Sequence, residues 1–382
     1  MKWLHDINER FEQYNMTKSG KPILRVGIAG QGRSGYEIHA LWLKQASRQY
    51  QIVAVADQLL ERRRDAKREF GARAYVDYST MIRKGGFDLF VNALPTPLHT
   101  QASIEALKAG FNVVCEKPFA GTVKDVDRMA AAARRANRLL APFQNNRLQP
   151  FFDKIQDVIQ SGVLGKLVHI RSIWGGFSRR WDWQTLQRNL GGILFNTGPH
   201  ALDQALTLIG WNKTPRVFCR MTCHHELGGD ADDFCGLTLY GKSIPTVDIL
   251  LTSCLAYAPR HVYTISGTRG TLIANADEVL WKYYNTAKAP RQKFWKKWSV
   301  KRKYPRENLP WIEKQWSLAK DKKTFFTGYT LHSYQIGTQR FYDNIYDVLV
   351  NGANLLVTVP QVRRQIEVIE ACRRQNRETC GA

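Results

Sequence analysis

The feature that most constrains this chain is a six-residue loop, Gly30-Gln31-Gly32-Arg33-Ser34-Gly35. It sits between an apolar run, Ile23–Ile28, and a helical stretch reaching about Ser47. The run lacks polar alternation, as does a strand buried on both faces. A second apolar run, Ile52–Ala56, ends at Asp57, 22 residues beyond Gly35. GxGxxG alone recurs in ordinary turns. With a strand before it, a helix after it and an acid ending the next strand, it has the context of a dinucleotide-binding loop. Gly30 permits the tight turn, Gly32 lets a pyrophosphate approach the backbone, and Gly35 lets helix and strand pack closely. The phosphates then meet unpaired N–H groups at the helix N-terminus. Asp57 accepts hydrogen bonds from ribose hydroxyls and repels a 2′-phosphate, so NAD is favoured over NADP. Arg62, Arg63 and Arg64 weaken that preference slightly, although they lie a full turn into the next helix.

Further strand-like runs, Phe87–Ala93, Asn112–Cys115 and Leu139–Phe143, alternate with helical segments 97–109 and 122–137. This alternation predicts an α/β fold with a doubly wound parallel sheet over 23–145, preceded by a polar helical leader over 1–22. The chain's 382 residues, 44% hydrophobic and 23% charged, allow a second domain with its own core, over 146–382. No stretch is long and apolar enough to span a membrane, and the charged N-terminus has no apolar secretory core. Seven cysteines are an odd set in a large chain, which suggests reduced thiols and a cytoplasmic location. Cys219, Cys223, His224 and His225 suggest zinc at first sight. They lie on an alternating strand-like run with no second CxxC pair, so buried structural cysteine is the better reading and no metal is expected.

At Glu116-Lys117-Pro118 a more specific motif appears. A strand ending in these residues, about 80 after the glycine loop, resembles the Gfo/Idh/MocA oxidoreductase family. Four other segments match in order: Asn92-Ala93-Leu94-Pro95-Thr96-Pro97-Leu98-His99, Phe143-Gln144-Asn145-Asn146-Arg147, Gly191 through Asp203, and Ser266 through Thr271. The resemblance implies a Rossmann domain followed by an α/β domain with a large, mostly antiparallel sheet. Runs 166–174, 215–223, 233–240, 246–254, 261–266 and 278–284, separated by turn residues, support that sheet independently. Two helical stretches, about 331–350 and 360–378, close the chain. The family also implies a homodimer or homotetramer through the sheet face, and a cis peptide at Lys117-Pro118.

The resemblance assigns NAD contacts to Gly30, Gln31, Gly32, Arg33, Ser34, Gly35, Asp57, Gln58, Asn92, Leu94, Pro95, Thr96, His99, Glu116, Lys117 and Gln144. Lys117 and His200 are the catalytic candidates. A lysine at a strand's C-terminal end beside a cationic ring is partly desolvated, and both effects favour its neutral, proton-accepting form. His200 lies four residues after Asn196 and three before Asp203, so on one helix the three share a face, with Asp203 holding the imidazole tautomer. Relatives that oxidise polyols often carry Asp where this chain has Asn196, and Asn cannot take a proton. Asn196 is therefore assigned to binding a substrate hydroxyl, with Asp203, Asn146 and Arg147 nearby. Trp174, Trp181 and Trp183 suit the C–H face of a sugar. The plainer alternatives are Lys117 paired with Glu116 or Asp57, a packed His200, and aromatic residues that pack on the second domain or on a neighbouring subunit.

The expected activity is hydride transfer between NAD and a secondary hydroxyl of a sugar, glycoside or cyclitol. Two alternatives stay open: a glycosidase working through transient sugar oxidation and elimination, and a non-catalytic sugar or NAD sensor. The net charge of +23 first suggests a polyanion partner. However, 14 Lys+Arg against 3 Asp+Glu fall between Lys282 and Lys323, and Trp281, Trp295, Trp298, Trp311 and Trp316 lie in or beside that stretch. This reads as a basic, Trp-rich insertion over about 285–330, and no nucleic-acid-binding motif accompanies it.

Overall fold

The computed structural model describes residues 20–291, 306–321, 325–326, 329–330 and 332–380. The expected leader falls almost wholly outside these residues, as do Trp295 and Trp298.

Six strands, β1 (Leu24–Ala29), β2 (Tyr50–Ala56), β3 (Arg73–Tyr75), β4 (Leu89–Asn92), β5 (Asn112–Cys115) and β6 (Leu140–Pro142), form a parallel sheet in the order β3-β2-β1-β4-β5-β6. The order reverses between β1 and β4. A crevice opens outside the carboxyl ends of the strands at such a point, and ligands bind there. The glycine loop follows β1, Ala93 and Leu94 follow β4, and Glu116 follows β5, so all three converge on that crevice.

Eight further strands make the second sheet: β7 (Leu167–Gly175), β8 (Arg216–Thr222), β9 (Phe234–Tyr240), β10 (Thr246–Thr252), β11 (Tyr263–Gly267), β12 (Gly270–Ala274), β13 (Glu278–Tyr284) and β14 (Trp311–Ser317). Their order is β14-β13-β12-β11-β7-β10-β9-β8, antiparallel except for β7 beside β10. Alternation buries Cys235, Leu237 and Leu239 on one face of β9. Helices Pro150–Gln160, Gly198–Ile209 and Val359–Gln375 cover that face. The helix Ser333–Asn351 instead returns to the first sheet. There Phe341, Tyr342 and Ile345 pack with Val26, Ile28 and Tyr50, and the Tyr50 hydroxyl donates to the Tyr342 carbonyl at 2.6 Å.

Two expectations need correcting. The segment after Gly267 is a tight turn into a full strand, β12, whose five residues were too few to stand out by pattern. Within the supposed insertion, Trp311–Ser317 is the edge strand β14, paired along its whole length with β13. The Trp316 indole N–H donates to Asp321 at 2.9 Å, and Lys282 pairs with Glu313 across the two strands. The edge strand itself carries one acid and one base, Glu313 and Lys314, so it holds none of the basic excess. Among the described residues no helix is long and apolar enough to cross a membrane.

Candidate active site

The glycine loop is shaped by close approach. Gly30 adopts φ +88°, and a Cβ there would lie 2.4 Å from the Ala93 carbonyl oxygen. A Cβ on Gly35 would fall 1.8 Å from the Gly30 carbonyl oxygen, so no side chain fits without opening the turn. At Gly32 the nearest atom would be 3.7 Å away, on Arg62, which leaves the backbone accessible to a ligand. Asp57 braces the loop as well as facing it: its carboxylate accepts the N–H groups of Gln31 and Leu59, both at 2.8 Å. Arg62 folds back to within 3.4 Å of the Asp57 carboxylate, and Arg63 donates to the Asp57 and Gln58 carbonyls at 2.8 Å. These arginines therefore reach the loop, although the sequence places them a turn away. An accessible glycine backbone, a buried carboxylate and the unpartnered Gln31 Oε1 fit the polar adenosine and pyrophosphate end of NAD. Gly35→Ala is expected to lower NAD affinity by at least roughly tenfold, about 1.4 kcal/mol. NADH fluorescence titration checks this, and affinity unchanged within twofold would contradict the tight-turn reading.

Lys117 ends the β5 segment, and its bond to Pro118 is cis, as the family resemblance implies. Its ammonium donates to Asn196 at the carbonyl (3.0 Å) and at Oδ1 (3.3 Å). Burial pushes the Lys117 pKa down, and the nearby charges of Arg33 and Arg180 push the same way against Glu116. Burial also opposes ionisation of Glu116, yet the His39 hydrogen bond and charge, with Lys117, hold its carboxyl down to about 2. Glu116 touches His39 Nε2 at 3.2 Å and the Lys117 N–H at 2.8 Å, and Tyr342 lies 2.6 Å from the other His39 nitrogen. Glu116 is thus walled in by protein. It orients the Lys117 backbone.

Other expected cofactor residues are similarly occupied. Both ring nitrogens of His99 face carbonyls, Pro118 and Leu94, at 2.8 Å, so His99 ties the loop after β4 to the one carrying Lys117. Asn92 donates to the His99 carbonyl and the Ser103 hydroxyl from a fully buried position. Gln144 bonds Gln365 at 3.2 Å and keeps an unpartnered Oε1. Leu94, Pro95 and Thr96 line the turn after β4, and Arg33 and Ser34 lead from the glycine loop into its helix.

His200, Asn196 and Asp203 do not share one helix face. Asn196 ends a short helix, Ile193–Asn196, and a new helix starts at Gly198. His200 remains close enough for the Lys117 charge to act on it. Burial first, and then that charge, push its pKa down to about 3. Its Nδ1 is buried without a partner. Asp203 points away to Arg147, which forks onto it at 2.7 and 2.5 Å, and Arg147 also lies over the Trp211 ring at 4.8 Å. The expected Asp203–His200 pairing is therefore replaced by a buried ion pair, because a carboxylate at 1% exposure needs a cation and Arg147 supplies it. Asn146 is buried and held by Gln149 and Gln204. Trp174 packs edge-on against Tyr263, Trp181 is 93% exposed, and Trp183 begins a short 3-10 turn. Nor do the four suspected zinc residues gather: Cys219 turns inward, 3.6 Å from Cys235, while His224 pairs outward with Asp233 at 2.8 Å.

Sequence reasoning missed a polar pocket beside Asn196, lined by Ser178, Arg180, Asp232, Asp233 and Ser253. Its two acids come just before β9, in Gly228-Gly229-Asp230-Ala231-Asp232-Asp233, which reads as an ordinary turn. Only the approach of the Gly191-Gly192 turn brings them to Asn196.

Comparison with known proteins agrees with this architecture. Residues 24–143 match a family described as an oxidoreductase family with an NAD-binding Rossmann fold, and residues 152–273 match the GFO/IDH/MocA C-terminal domain. The myo-inositol 2-dehydrogenase of Thermotoga maritima is 32% identical over 55% of this chain and 63% of its own. The NADP-dependent scyllo-inositol 2-dehydrogenase of Bacillus subtilis is 25% identical over 93% of this chain and 94% of its own. The WlbA dehydrogenase of Bordetella pertussis, solved with NADH and UDP-GlcNAcA, superposes with a TM-score of 0.72 at 21% identity, covering 93% of this chain and 96% of that one.

Proposed function

We propose that this chain, which belongs to the Gfo/Idh/MocA oxidoreductase family, transfers a hydride between NAD and a secondary hydroxyl of a neutral sugar, glycoside or cyclitol. The observation that carries the reading is the placement of Lys117. It is a desolvated amine at the end of β5, beside the glycine loop, with its ammonium on Asn196 at the entry to the His200 helix. NAD, when bound, supplies the hydride acceptor or donor. Lys117 takes the hydroxyl proton on oxidation and returns it on reduction, since burial and neighbouring cations bring its neutral form within reach. His200, with a pKa near 3, stays neutral at working pH and serves as an uncharged hydrogen-bonding group toward the same hydroxyl. Asn196 holds the Lys117 ammonium. The inositol and glucoside dehydrogenases among the relatives support a polyol substrate. The outer face of the second sheet, where Phe218 is 63% exposed, supports a homo-oligomer.

The test is NADH formation by the purified enzyme on myo-inositol, scyllo-inositol, D-glucose and methyl β-D-glucoside. Oxidation of at least one in a saturable manner is expected. No NADH from any, with NAD bound, would sink the reading.

A further inference from the structure

Asp232 is 8% exposed, yet its two carboxylate oxygens are treated differently. Oδ2 accepts the Leu194 N–H at 2.8 Å, and the Asp232 carbonyl accepts the Ile193 N–H at 2.7 Å. The residue therefore caps the short helix that ends in Asn196. Gly192, at φ +100°, lets that backbone come close: a Cβ there would stand 2.0 Å from Asp232 Oδ1. Oδ1 takes no hydrogen bond from another described residue, and Asp232 lines the pocket beside Asn196. An acceptor with no partner from a neighbouring residue, at the wall of a cavity, is open to a donor that enters the pocket.

The neighbouring groups are already committed. Arg180 forks onto Asp182 at 2.8 and 2.9 Å and reaches Gln184 at 2.6 Å, so its charge is met within its own loop. Asp233 is taken by the backbone and ring of His224. Asn196 Oδ1 is held by Lys117, which leaves its amide N–H groups as donors. Besides the hydroxyls of Ser178 and Ser253, which donate or accept, the pocket thus offers one free carboxylate acceptor and one amide donor. A hydroxyl both donates and accepts and can satisfy either one, whereas a substrate carboxylate brings only acceptors and meets Asp232 with like charge.

Resting on the polyol reading above, we infer that Asp232 binds a substrate hydroxyl next to the one oxidised and, with Asn196, selects neutral polyols over the corresponding sugar acids. Burial, partly opposed by the Leu194 N–H, raises its carboxyl to about 7, so the charge that disfavours a sugar acid is fully present only above neutral pH.

The test uses the NAD-bound enzyme with myo-inositol, scyllo-inositol, D-glucose, methyl β-D-glucoside and D-glucuronate. Steady-state NADH formation is read beside calorimetric binding to the NADH-bound form. Asp232→Ala is expected to raise KM for the best neutral substrate roughly tenfold or more, the worth of one charge-assisted hydrogen bond, with NAD affinity unchanged. Asp232→Asn keeps an acceptor for the Leu194 N–H. It should retain the wild-type melting temperature and shift the glucuronate-to-neutral preference roughly tenfold toward glucuronate. A KM within twofold of wild type in both variants, or a wild-type preference for glucuronate, overturns the inference while leaving the polyol reading intact. If none of the panel binds or reacts, the polyol reading falls and Asp232's role falls with it.

Discussion

Lys117→Ala should lose turnover by roughly 10³-fold while its NAD dissociation constant moves less than about threefold, the signature of removing a general base and not a binding contact. The side chain is anchored on Asn196, so truncation removes the proton acceptor and touches none of the glycines that shape the loop. Lys117→Arg sharpens the result. Arginine keeps the positive charge but stays protonated at any working pH, so if the proton matters it should be nearly as inactive as alanine. The sign of the pH dependence follows from the same chemistry. The oxidation rate should rise with pH as Lys117 loses its proton, at a pH below the usual lysine value, because burial and then Arg33 and Arg180 favour the neutral amine. That rising limb should disappear in the residual rate of Lys117→Ala. Wild-type turnover by Lys117→Arg would leave the amine a structural tie to Asn196.

What the sequence disclosed and what it hid separate along a physical line. The glycine loop, Asp57 and Glu116-Lys117-Pro118 are legible because each is a local pattern on a strand end, and the parallel sheet places strand ends together without further information. The roles of His99, Asp203 and Asp232 are not local. His99 has carbonyls on both ring nitrogens, one of them 19 residues away, and nothing in its own segment announces that. Asp232 reaches Leu194 across 38 residues, through a glycine turn whose only sequence trace is Gly191-Gly192. Asp203 is the instructive case. Helical spacing alone put it beside His200, but the helix breaks at Thr197 and the burial of a carboxylate then selects the nearest available guanidinium.

That selection can be tested by stability. Asp203→Ala should destabilise the protein by about 3–5 kcal/mol, because it strands Arg147 as an uncompensated buried cation. Arg147→Met should cost a comparable amount for the opposite reason, since burial already drives the Asp203 pKa upward and Arg147 is what opposes it. The double variant Arg147→Met/Asp203→Leu should recover part of the loss, because both charges leave together and Trp211 can pack on the methionine, while the Leu356 carbonyl and Gln361 lose the donor that Arg147 supplied. Additive losses in the double variant would mean that the two residues act separately. Denaturant melts supply the three differences. Activity of the folded double variant supplies a further decision. If Asp203 held the His200 tautomer, kcat would stay depressed after stability returned. If the ion pair only closes the interior where Arg147 meets the Leu356 carbonyl and Gln361, kcat should return with the fold.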